Sequence, residues 1–302
     1  MFGRTGMGPG EFSYPRAALV AGNRAFFVDK AARIQCYTCN GEYQYDWEMP
    51  EKLAGKPTGL GVDRDGRIYV ADTHYSRVIV FEPDGKEVGR FGTRGEGPGE
   101  FRLVTDVAID KDGYIYVSEY SGNDRISKFS PDWKYLFSFG DKNAGEAALR
   151  RPQSLLFGPD DRLWVSDACN HRICQFTREG KLLQSFGHSG HGLGELRFPY
   201  GLSMLSDGSL IVAEYGNNRV QRFDQQGHSL GIWGTAGRHA GELAYPWAAE
   251  AAPNDRVIVV DSGNNRIQIF DAMAKDAWRS DAAALAGFAP AEEETATAGS
   301  ER

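Results

Sequence analysis

Cys36 and Cys39 stand at the C-x-x-C spacing that metal sites and redox pairs share. No second such pair exists and no histidine follows it, so the two read as small buried hydrophobes with reduced thiols. Cys169 and His171, with His188 and His191 in "FGHSGHG", bring four sulfur and nitrogen donors into neighbouring segments. Zinc takes those donor types, yet their spacing fits no compact zinc motif, and loop histidines are as a rule solvated. Asp106, Glu250, His74 and His171 are further groups able to move a proton or hold a divalent ion. Spacing alone assembles no Ser/His/Asp arrangement from them.

The elements that position these groups come from a repeat. The phrase R-[IV]-x-x-[FY] occurs six times, beginning at Arg33, Arg77, Arg125, Arg172, Arg219 and Arg266, with intervals of 44, 48, 47, 47 and 47 residues. A fixed period of that size marks a repeat architecture. Each period holds four runs rich in Val, Ile, Tyr and Phe, punctuated by Gly, Asp, Asn and Pro in turn positions. The second runs, such as "RIYVAD" and "RVIVVD", do not alternate apolar with polar, so both faces must be covered. Tight turns such as "RDGR" and "PDGK" join antiparallel neighbours. Four antiparallel strands, six times over without helices, predict an all-β six-bladed β-propeller.

The phrases "FGTRGEGPGEF" at Phe91 to Phe101 and "VDSGNNRIQIF" at Val260 to Phe270 resemble the NHL repeat family. The resemblance covers about the first 271 residues and implies a six-bladed propeller over 1–271, followed by an Ala/Glu-rich tail, 272–302, expected to be disordered. It leaves function open: such propellers bind proteins, RNA or ligands, and related six-bladed forms include metal-dependent lactonases and amidating or ring-opening lyases. The sixth copy lacks an outer strand, which either Met1-Phe2-Gly3 or "MAKDAW" is expected to supply.

Composition narrows these classes. The 302 residues are 41% hydrophobic and 25% charged with a formal net charge of -7. No basic stripe is present, which disfavours nucleic acid. No apolar run approaches the roughly 20 residues that span a bilayer, and no leader is visible, so a monomeric, cytoplasmic protein away from membranes is expected as written. Met1 falls inside a repeat, so a longer precursor with a leader would move it outside the cytoplasm.

Features common to all six copies are expected to be structural. The acids Asp29, Asp72, Glu119, Asp167, Glu214 and Asp261 each precede the repeated Arg and are expected to brace it. A ligand is rarely sixfold symmetric, so binding is expected where copies differ, on the face carrying the interblade connections, the top. The position just inside each inner strand holds Arg16, Thr58, Thr105, Gln153, Tyr200 and Trp247, with Asp106 a lone carboxylate beside them. The neighbouring loops add His74, Tyr75, Tyr120, His171 and Tyr215. Mixed charge and aromatics of this kind predict a site for a protein, a peptide end or a small polar ligand. The alternative is a metal-dependent propeller enzyme using Asp106, Glu250, His74 and His171.

Overall fold

The computed structural model describes residues 1–54 and 56–280. Blade 1 is made of strands Pro15–Ala21, Arg24–Asp29, Arg33–Thr38 and Tyr43–Glu48, hydrogen-bonded in that order and all antiparallel. Blades 2 to 5 repeat the plan from inner strands Gly59–Val62, Leu103–Ile109, Pro152–Phe157 and Pro199–Met204. Blade 6 has Pro246–Ala252, Arg256–Asp261 and Arg266–Asp271. Its outer partner is Phe2, whose N–H donates to the Ile267 carbonyl at 3.0 Å and whose carbonyl accepts from Ile267 N at 2.9 Å. The ring is therefore a six-bladed β-propeller whose last blade is closed by residues from the opposite end of the sequence.

"MAKDAW" does not take that place. Arg279 pairs instead with Ile232 on the outer strand of blade 5, and Trp278 packs edge-on against Phe270 with centroids 5.4 Å apart. The expectation of a disordered tail therefore needs correction for 272–280, which Ala272 and Trp278 dock onto the apolar seam of blades 5 and 6. The remainder of that tail lies outside the described residues.

The second strands are buried along their whole length, as their continuous apolar runs require, because each is covered by a neighbouring blade on either face. Trp164, for example, packs with Leu196, Leu202 and Phe223 across the seam between blades 4 and 5. Cys36 and Cys39 are buried within blade 1, and that burial pushes both thiols up.

Inner strands converge on the axis, and there side-chain size is limited by backbone. A Cβ on Gly59 would stand 2.3 Å from the Thr105 carbonyl oxygen, and one on Gly201 would stand 2.6 Å from Ala248 Cα. Glycine stands at those points for that reason, while Asp106 and Glu250 bring carboxyls into the same channel. No helix among the described residues is long and apolar enough to cross a membrane.

Candidate functional site

The six acids and six arginines form the braces expected of them. Each acid is fully buried, and the pairs close at 3.3 Å (Asp29–Arg33), 2.8 Å (Asp72–Arg77), 2.7 Å (Glu119–Arg125 and Asp167–Arg172) and 2.6 Å (Glu214–Arg219 and Asp261–Arg266). The other guanidinium nitrogens clip the preceding interblade connection. Arg219 donates to the carbonyls of His191, Gly192 and Glu195, and Arg266 to those of Arg238, His239 and Glu242. With charge compensated and their donors satisfied except for the buried Nε of Arg33, these groups hold the loops and are closed to a ligand.

Five inner strands carry a register irregularity at one position: after Pro15, Val104, Pro152, Pro199 and Pro246. The residues thrown out of the ladder are Arg16, Thr105, Gln153, Tyr200 and Trp247. A bulge leaves its extra residue unpaired and re-aims its side chain. Four of them, with Thr58, line the mouth of a central channel whose cavity measures about 270 Å³. Thr105 does not: its hydroxyl turns into the wall, 2.7 Å from Ser118 Oγ and 2.6 Å from the Pro152 carbonyl, and joins blade 3 to blade 4.

The mouth has two unlike halves. Blades 5 and 6 present an aromatic wall. Tyr200 stacks on Tyr215 with centroids 4.7 Å apart, and Trp247 stands edge-on to both, at 4.9 and 5.7 Å. On blades 2 and 3 the Thr58 hydroxyl is held in the wall, 2.8 Å from Thr73 Oγ1 and donating to the Thr105 carbonyl at 3.0 Å, and the Asp106 carboxyl lies deeper in the channel. Arg16, from blade 1, lies 4.9 Å over Trp247. Arg151, from blade 4, lies 4.8 Å over Tyr120 and 5.5 Å over Tyr200.

Below the mouth, Asp106 and Glu250 are enclosed in the channel. Asp106 accepts the Leu155 N–H at 2.8 Å, and burial pushes its carboxyl up to about 7. Glu250 is raised well above the carboxylate range by burial and by the neighbouring Asp106. At neutral pH at least one of the two therefore holds its proton.

Three residues of this mouth escaped the sequence reading: Tyr14, Arg151 and Tyr245. Each precedes an inner-strand proline and has a left-handed backbone, with φ of 49°, 56° and 51°. Tyr14 and Tyr245 flank Tyr215, the former through a 3.3 Å hydroxyl contact and the latter by ring packing at 5.1 Å. The signal was available, since "YP", "RP", "FP" and "YP" recur at equivalent points. In each copy the N–H is held by a loop side chain of the preceding blade: Asn265 on Tyr14, Asp124 on Arg151, His171 on Phe198 and Asn218 on Tyr245.

His171 therefore performs in blade 4 the capping that asparagine performs elsewhere, with its Nδ1 accepting at 3.1 Å and its ring on Phe198. His74 is exposed on the blade 2 loop, and Tyr75 packs its own loop, 4.8 Å under Arg77. His188 is exposed beside Glu195. Among the described residues no three His, Cys, Asp or Glu side chains are placed to hold a metal ion. The metal set Cys169, His171, His188 and His191 is thus corrected, because the first pair serves the blade 4 loop and the second pair the next connection. Asp106, Glu250, His74 and His171 likewise form no ligand group among the described residues.

Against this geometry the comparisons with known proteins can be set. A model described as a 6-bladed beta-propeller matches residues 61–135, and the NHL repeat model matches 149–176, 196–223 and 243–270. The chain is a six-bladed propeller in which three segments match the NHL repeat. It is 33% identical over 125 residues to peptidylglycine alpha-amidating monooxygenase of Rattus norvegicus, a match covering 38% of this chain and 13% of that protein. Among solved structures it is similar to a streptogramin B lyase, with TM-score 0.61, 20% identity and coverage of 86% of this chain and 83% of that one. It is similar also to the WD40 propeller domain of Doa1, with TM-score 0.58, 11% identity and coverage of 88% and 95%. A lyase and a WD40 domain share this likeness, so it carries the fold alone.

Proposed function

We propose that this six-bladed propeller is a binding module that takes a small polar ligand or a peptide end into the top mouth of its channel. The observation that carries the reading is the asymmetric mouth: an aromatic wall on blades 5 and 6 between two guanidiniums, facing small residues on blades 2 and 3. Six equal blades need no such asymmetry for stability, and the five residues that line it, Arg16, Thr58, Gln153, Tyr200 and Trp247, differ in type while the braces around them do not. Rigid aromatics offer large contact area with few rotatable bonds, and a few convergent polar groups orient what they hold. A lyase-like reading has, among the described residues, Glu250 and the Tyr200 hydroxyl as proton carriers free of protein hydrogen bonds in the channel, without a partner constellation to complete them.

The test is a thermal-shift screen of dipeptides and small aromatic acids and amides against the wild type and a Tyr200→Ala/Trp247→Ala double variant. Stabilising hits on the wild type that vanish in the double variant support the mouth as the site. Hits that survive the double substitution place binding elsewhere and defeat the reading.

A further inference from the structure

We propose that the ligand of this mouth is an anion, a carboxylate carried on a planar or apolar body, received by the guanidiniums of Arg16 and Arg151. The inference rests on the mouth being the binding site and names the chemistry that it selects.

The two arginines lack the counter-charge that the others have. The brace arginines each have a carboxylate within 3.3 Å, and Arg178 has Asp110, Asp112 and Asp161. Arg16 and Arg151 form no ion pair and no side-chain hydrogen bond with the described residues; each has a buried Nε without a partner, as Arg33 and Arg178 also do, so it is the missing carboxylate that sets these two apart. Cation–π contact with Trp247, Tyr120 and Tyr200 offsets part of the cost of a buried cation without a counter-charge. A guanidinium with no carboxylate partner keeps the N–H donors with which it can take a carboxylate through two parallel bonds.

The rest of the mouth fits the same class. Tyr200 is buried, its hydroxyl meets no hydrogen-bond partner among the described residues, and it lies beside Arg151. Burial pushes that phenol up to about 12, so it stays a donor at every working pH. Trp247 and Tyr200 supply flat apolar area between the two cations. The channel volume of about 270 Å³ equals about nine waters at roughly 30 Å³ each, which suits a small acid or one terminal residue of a chain. A dianion such as phosphate lacks the apolar body that the rings would cover, and it would sit above Asp106 and Glu250.

N-acetylphenylalanine, its primary amide, a tripeptide ending in phenylalanine and inorganic phosphate are titrated into the full chain, read by Trp247 fluorescence and calorimetry. The acid is expected to bind at least tenfold more tightly than the amide and than phosphate. An Arg16→Gln/Arg151→Gln double variant should lose at least tenfold on the acid and little on the amide. A tripeptide that binds more tightly than the free acid identifies a chain terminus as the source, and the reverse order identifies a free small acid. Equal binding of acid and amide, or an unchanged acid affinity in the arginine double variant, overturns the anion proposal while leaving the mouth intact. Acid binding that survives Tyr200→Ala/Trp247→Ala would instead overturn the mouth. Should the arginine variant fail to fold, the acid and amide comparison on the wild type decides alone, and absence of saturable acid binding at millimolar concentration refutes the proposal.

Discussion

Replacing Asp106 by asparagine should stabilise the propeller at neutral pH and not at acid pH. Asp106 is enclosed in the channel, and burial raises its carboxyl from 3.8 to about 7. Between those two values the unfolded chain has released the proton and the folded chain has kept it. The folded state then binds more protons, so the stability associated with this group is complete below about pH 4 and is lost as pH rises toward 7. A gap of about 3 pH units at about 1.4 kcal/mol each is on the order of 4 kcal/mol. The Leu155 N–H donates to Asp106 Oδ2, a position that the side-chain oxygen of asparagine can occupy, and asparagine has nothing to ionise. The difference between Asp106→Asn and wild type should therefore be near zero at pH 4 and grow to a few kcal/mol by pH 7.5. Glu250 is raised for the same cause, and removing the Asp106 charge should let it ionise more easily. Denaturant unfolding at five or six pH values reads the difference directly. A variant whose stability runs parallel to the wild type at every pH would show that Asp106 ionises freely and would refute the enclosed-channel account.

Two further outcomes test the division between brace and site. Arg219→Met leaves Glu214 without its cation and takes one donor from each of three loop carbonyls, and should cost about 3–5 kcal/mol, whereas Arg90→Met, losing only surface pairs with Glu87 and Glu51, should cost at most about 1 kcal/mol; equal losses in urea unfolding would contradict the brace reading. His171→Asn should fold with stability within about 0.5 kcal/mol of wild type because asparagine caps the equivalent N–H in blades 5 and 6, while His171→Leu should lose about 1–3 kcal/mol; a reversed order in the same measurement would return His171 to the list of functional groups.

The ring itself was legible from the chain. A period near 47, four apolar runs per period and turn residues between them leave antiparallel blades as the structure that buries both faces of every second strand. The braces were legible too, because an acid and an arginine recurring in register six times can be satisfied only by each other and by the loops they adjoin. Arg16, Thr58, Gln153, Tyr200 and Trp247 were found by asking where copies differ, and they do face the channel.

What the chain could not decide was direction. Whether Thr105 turns to the lumen or into the wall depends on the Pro152 carbonyl of the next blade, which is 47 residues away in sequence and one hydrogen bond away in space. The same holds for His171, whose character as a cap appears only when Phe198 N is brought to it. Tyr14, Arg151 and Tyr245 join the mouth because a left-handed residue before each proline swings its side chain over the rim. Local spacing defines strands and turns, since those depend on neighbours along the chain. The orientation of a side chain at a bulge, and whether a guanidinium meets a carboxylate or an open mouth, is settled by closure of the ring, which brings blade 6 beside blade 1 and Trp247 under Arg16.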